Sequence, residues 1–308
     1  MSMTSELKDK NSPFSKLIHG SAPKLGLVEG RSVEGRNVAD KLGFYELLDS
    51  TLVASVPEGV ENRRKHSPTV GTAFDIRTRM MLGGFDPWKS SSAKGLAAFS
   101  GFFAKYFPPT AEMVLREGFL WAANTVFGGS EEDKNCASVV LARCEAFYRA
   151  GLQTAQSSFG ELLCKVKSFD GLLASISPFI LEDLERLRAA SVRQIGLWRN
   201  QIDKGECYVA NPVFEGAPLV GGADGDWCIG NTLVECKIKE KITIPWIRDT
   251  LFQLLGYVVL DLFDCYEIRK VGIWLPRQTV FKAWSLSELI DGNHRQIMRR
   301  MRLDVQNI

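Results

Sequence analysis

The chain of 308 residues is 45% hydrophobic and 24% charged, an ordinary globular composition that excludes fibrous and intrinsically disordered classes. Its length suits one large domain or two modest ones. The formal net charge of +2 excludes bulk charge as a route to nucleic acid, so any basic face must be local. The opening MSMTSELKDK is polar and lacks an apolar targeting core, and residues 1–37 read as a loosely ordered arm. From 38 to 204 the periodicity is helical. VADKLGFYELL, TAFDIRTRMML, TAEMVLREGFLWAANTVF, CASVVLARCEAFYRAGL and FILEDLERLRAASVRQIGLW each repeat apolar residues at three and four. Pro108-Pro109 and Gly128-Gly129-Ser130 punctuate that region as helix stops and starts.

From 205 the texture changes. ECYVA, APLVGG, DWCI and TLVECKI are short, β-rich and separated by turn residues. A helix follows, IPWIRDTLFQLLGYVVLDLF, with Pro245 suited to its first turn. RKVGIWL and TVFKAW read as two more strands around Pro276-Arg277-Gln278, and DGNHRQIMRRMRLDV as a basic terminal helix. This order predicts an α/β fold with a mixed sheet flanked by helices. The longest uncharged apolar run, Leu251 to Leu260, is too short to span a bilayer. Seven cysteines without a C-x-x-C pair suggest reduced thiols in the cytoplasm, and three histidines are too few for a zinc site.

One segment sets charges where a buried sheet wants valine: GADGDWCIGNTLVECKIK, from Gly222 to Lys239. Gly230-Asn231 is a hairpin-turn signal. It sets Ile229 opposite Thr232, Cys228 opposite Leu233, Trp227 opposite Val234, Asp226 opposite Glu235 and Asp224 opposite Lys237. Side chains alternate along a strand, so Asp224, Asp226, Glu235 and Lys237 share one face, and Val234, Cys236 and Ile238 the other. Opposed carboxylates repel by roughly 0.2–1 kcal/mol at a surface, and a divalent cation between them reverses the sign. Magnesium takes oxygen ligands, usually one or two carboxylates with water and phosphate oxygens. Beside it, Lys237 can orient or help deprotonate a water and counter charge developing on a phosphate.

Asp226 followed by Glu235-Cys236-Lys237 resembles the PD-(D/E)XK nuclease superfamily with its restriction-endonuclease-like core. In the next helix, Gln253 and Tyr257 resemble the Q-x-x-x-Y motif of its RecB-like branch and share a helix face. The resemblance implies that Asp226 and Glu235 bind Mg2+ or Mn2+ and Lys237 serves catalysis. It further implies that Gln253 organises the site and Tyr257 contacts or supports nucleic acid. It covers about 205–290 and, more faintly, 70–82. There VGTAFDIRTR suggests a first core helix, with Asp75 as a further ligand and Arg77 as a phosphate contact. The helices between then count as a large insertion. The naming proline is replaced by Gly225, His66 lies before the presumed helix, and no Walker-type loop occurs.

E-x-K alone means little, since Glu6-Leu7-Lys8 and Glu132-Asp133-Lys134 also match. The opposed aspartate and the Q-x-x-x-Y helix make the combination rarer. Asp224 reads as a turn residue. Arg299, with Arg295, Arg300 and Arg302, offers a phosphate-tracking face or a solvated helix. The expected activity is metal-dependent hydrolysis of DNA, in repair, recombination or defence against foreign DNA. Its rival is a catalytically silent nuclease-like module that binds nucleic acid or assembles with a helicase, an ATPase or another subunit. A third reading is a purely structural protein whose acidic hairpin is solvent-exposed.

Overall fold

The structure is a computed structural model and describes residues 3–28, 32–58 and 63–307. The chain divides into two compact units, one of Met1–Val53 with Gly196–Ile308 and one of Ala54–Ile195.

The first unit is built on a five-stranded sheet. Its strands β1 (Tyr208–Ala210), β2 (Trp227–Ile229), β3 (Thr232–Cys236), β4 (Lys270–Leu275) and β5 (Val280–Ser285) lie side by side in chain order. The β1–β2, β2–β3 and β4–β5 pairs are antiparallel, and β3–β4 is parallel. A parallel pair needs a crossover, which the helix Ile244–Leu260 supplies. Thr243 starts that helix by accepting a 3.4 Å bond from the Trp246 N–H, with Pro245 in the first turn. Two apolar layers flank the sheet. On one face Trp198 packs edge-on against Trp227, Trp274 and Phe281. On the other, Cys228, Leu233, Val271 and Ile273 join Leu251, Leu254, Leu255 and Val258 of the crossover helix in one core.

The hairpin register is the one the sequence predicts: Trp227 pairs with Val234, Cys228 with Leu233 and Ile229 with Thr232. At the turn Gly230 has φ +55°, while Asn231 is not among the positive-φ residues. A positive φ at the first central position alone is what a II′ turn requires, and glycine adopts it without steric cost.

Three expectations are corrected. Residues 1–37 do not form a loose arm where they are described. They fold into helices α1 (Met3–Lys8), α2 (Pro13–Ser21), α3 (Pro23–Leu27) and α4 (Val33–Lys41). Met3, Leu7, Phe14 and Ile18 join the core built around the crossover helix, and the Met3 N–H bonds the Gly222 carbonyl at 3.2 Å. A fifth helix, α5 (Phe44–Leu48), follows Gly43 at φ +66°, so VADKLGFYELL is two helices rather than one. APLVGG is a 3-10 turn over Ala217–Val220 and not a strand. Pro218 denies it a ladder donor, and Gly221 and Gly222 turn the chain at φ +73° and +114°.

The second unit is helical: α6 (Arg63–Leu82), α7 (Ser91–Ala98), α8 (Pro109–Gly128), α9 (Glu131–Ala150), α10 (Leu152–Ala155), α11 (Ser158–Lys165), α12 (Phe169–Ala174) and most of α13 (Pro178–Asp203). Its hub is α9, started by a Ser130–Asp133 capping box and packed by α6, α7 and α8. Gly95 of α7 lies against the Cys144 carbonyl of α9, where any Cβ would collide with the backbone. Residues 70–82 therefore belong to a helix of this unit, packed on α9, rather than to the sheet unit. The crossover helix is α14, and α15 (Leu286–Leu289) and α16 (His294–Val305) complete the sheet unit. No helix among the described residues is long and apolar enough to cross a membrane.

Candidate functional site

The register decides which side chains meet on the face covered by α14. Glu235, next to last in β3 and paired with Ile273 of β4, is only 2% exposed. Its Oε1 is in contact with the Lys237 ammonium and accepts a 3.2 Å bond from Gln253 Nε2. Its Oε2 is buried and has no hydrogen-bond partner. A buried carboxylate oxygen left bare costs about 1–3 kcal/mol or more when charged, so this atom asks for a ligand.

Asp226 closes the hairpin from the other strand. Its Oδ2 accepts the Cys236 N–H at 2.7 Å, and its carbonyl accepts the Asn211 N–H at 2.9 Å. The carboxylate is thus pinned beside the end of β3 by the Cys236 N–H, and the Asp226 main chain by Asn211. Asp224 forms an isolated bridge with Val213.

Lys237 lies just beyond the strand, its N–H bonded to the Trp274 carbonyl at 2.9 Å, and its side chain is 35% exposed. Burial alone would lower the pKa of this ammonium. The Glu235 and Asp226 carboxylates outweigh that effect and hold it above the usual lysine range. Gln253 and Tyr257, one turn apart on α14, complete a relay: Gln253 Nε2 also donates to Tyr257 Oη at 2.8 Å. Burial first, then Glu235, Asp226 and Asp224, raise the Tyr257 phenol pKa, so the hydroxyl stays protonated. Its ring stacks on Phe214 at 5.5 Å.

The hairpin and α14 therefore bring Asp226, Glu235, Lys237, Gln253 and Tyr257 together. Tyr257 is only 6% exposed, and its place is under Gln253 rather than on a nucleic-acid surface. Asp75 and Arg77 belong to the helical unit. Asp75 pairs with Arg79, whose neighbours include Glu145 and, through it, Arg149. Arg77 is buried, with its guanidinium given to Asn135 at 3.1 Å and to Glu131. That burial lowers its pKa, opposed by Glu131. These contacts account for Arg77 as a helix-packing charge, whereas Asp75 Oδ1 is buried without a hydrogen-bond partner, as Glu235 Oε2 is. Arg299 is exposed on α16 and lines a pocket of about 460 Å³ with Arg269, Arg295 and Arg302. Arg269 and Arg302 there are held by Asp264, each at 2.8–2.9 Å.

Two features escape the sequence reading. Asp224, read as a turn residue, lies near enough to Tyr257 to raise its pKa, which its same-face position in the hairpin foreshadows. The second is a cleft of about 820 Å³ whose lining includes Lys237 and Gln253 together with Lys8, Lys10 and Lys16. A segment taken for an arm gives no signal that its lysines face this site. Comparison with protein-family models, with curated proteins and with solved structures gives no match to this chain.

Proposed function

We propose that the sheet unit is a PD-(D/E)XK-like, restriction-endonuclease-like nuclease core that hydrolyses DNA phosphodiesters with Mg2+ or Mn2+. The observation that carries the reading is Glu235: a buried carboxylate with one oxygen engaged by Lys237 and Gln253 and the other bare. The donor set fits a hard cation. Glu235 Oε2 and the Asp226 carboxylate are oxygen ligands on one sheet face, of the kind and number magnesium takes from a protein. A cation held there would stabilise charge on a phosphate oxygen and lower the pKa of a bound water.

The chain's own groups have distinct tasks. Lys237, drawn to Glu235 and Asp226, offers a positive charge toward the phosphate. Gln253 holds Glu235 Oε1 and so orients Oε2 away from itself. Tyr257 holds Gln253 from behind, which makes it a positioning residue. The Asp226–Cys236 bond fixes the two strands against the separation that two facing carboxylates favour.

The test is incubation of the purified protein with circular and linear DNA, with and without magnesium or manganese. Metal-dependent loss of intact DNA that Glu235→Gln abolishes is expected, and cleaved circles would mark endonuclease action. Intact DNA under every condition, with wild-type protein folded, would overturn the reading in favour of a silent nuclease-like module.

A further inference from the structure

The cleft beside Glu235 is walled by two parts of the chain far apart in sequence. One wall is α1, α2 and the turn between them, which bring Lys8, Lys10 and Lys16, and the other is the first turns of α14 together with Lys237. Lys8, Lys10 and Lys16 are exposed and make no ion pair among the described residues. The other charges in the cleft are matched: Arg248 pairs with Asp249 at 2.7 Å and Lys237 with Glu235. Three unmatched cations thus share a cleft with Lys237 and Gln253, the two side chains that hold Glu235 Oε1. Three like charges converging on a concavity repel one another unless an anion joins them. Trp246, also in the lining, is half-buried on the first turn of α14, carrying the Lys239 ammonium 5.9 Å from its ring centre.

We propose that this cleft seats a single DNA strand, with Lys8, Lys10 and Lys16 on successive phosphates, Trp246 stacking a base, and Lys237 at the phosphate to be cut. This rests on the hydrolase reading for its direction and goes beyond it in naming the substrate as a single strand. A row of cations tracking a backbone, with an aromatic ring for a base, is how sequence-tolerant single-strand sites are built. The volume of about 820 Å³ lies within the roughly 300–1,000 Å³ of small-ligand pockets, room for a short run of one strand. The N-terminal helices are then substrate-positioning elements as well as core.

The experiment is a salt titration of binding to a fluorescent oligothymidylate in calcium, with Glu235→Gln protein so that no cleavage intervenes, alone and combined with Lys8→Ala, Lys10→Ala and Lys16→Ala. Because the three lysines are exposed, the substitutions leave the fold intact, as circular dichroism would show. Loss of three contacts should make the plot of log affinity against log salt shallower by about 2, at roughly 0.7 per contact on a single strand. Affinity at low salt should fall about tenfold or more, and an unlabelled duplex should compete poorly. An unchanged slope, or a duplex that competes as well as the strand, overturns the proposal even if wild-type protein cuts DNA. The lysine dependence with no cleavage by wild type would leave the strand site standing and remove the hydrolase reading instead.

Discussion

At the scale of single residues, the site turns on how two neighbours in sequence divide one task. Glu235 is buried and Lys237 is partly open, and the pair is joined through Oε1. The charge state of Lys237 follows from a sign argument. Its pKa is raised in the folded protein, so its contribution to stability is fully present below the unfolded lysine value of about 10.4 and is lost only as pH rises through the higher folded value. Between about pH 6 and pH 9, the stability of the metal-free protein should therefore show no titration that Lys237→Arg moves. A limb in the metal-free stability profile over that range that shifts in the variant would contradict a charged Lys237. Lys237→Met should lower turnover by a factor of about 10²–10³ while DNA binding in calcium stays nearly unchanged. Lys239→Ala should cost far less, since that ammonium lies over Trp246 and β3 has ended at Cys236. Equal losses in the two variants would overturn the E-x-K reading.

At the scale of elements, much of the sheet unit was legible in the sequence, because its signals are local. Gly230-Asn231 fixes the hairpin, and a two-residue turn leaves one register. Val234 and Trp227 then face the tryptophan layer, while Asp226 and Glu235 face α14. The crossover helix announces itself by length and by Thr243 and Pro245 at its start. What was not legible depends on distant partners. Helices α1 and α2 have six and nine residues, too short to be stable alone, and they exist because Leu7, Phe14 and Ile18 find the α14 leucines. The sequence offers Asp75 its Arg79 pair, four residues on along one helix, but not the Glu131 and Asn135 of α9 that hold Arg77. Two neighbours on α14 test its orientation. Leu254→Ala, fully buried, should cost about 2–5 kcal/mol with turnover per folded molecule retained. Gln253→Ala should lower turnover with a smaller stability change, because Glu235 loses one of its two bonds. Turnover and thermal melting of both variants decide it, and the reverse pattern would mean that the other face of α14 serves the site.

At the scale of the whole molecule, the sheet unit is discontinuous: its first 53 residues return to pack with residues 196–308. Removing Met3–Ser21 should leave Leu251, Leu254 and Leu255 without their cover, and the truncated protein should aggregate or melt far below the full chain. A truncated protein that stays soluble and melts normally would return that segment to the status of an arm. All seven cysteines stand as thiols, and burial pushes Cys144 and Cys228 up to about 12, so neither is a nucleophile near neutral pH. The most direct measurement is calorimetric titration of the folded protein with manganese, in wild type and in Glu235→Gln. Saturable binding in wild type that Glu235→Gln abolishes, with both proteins equally folded, is the predicted result. Equal heats in the two proteins, or none in wild type, would contradict the claim that the bare oxygen of Glu235 is a metal ligand.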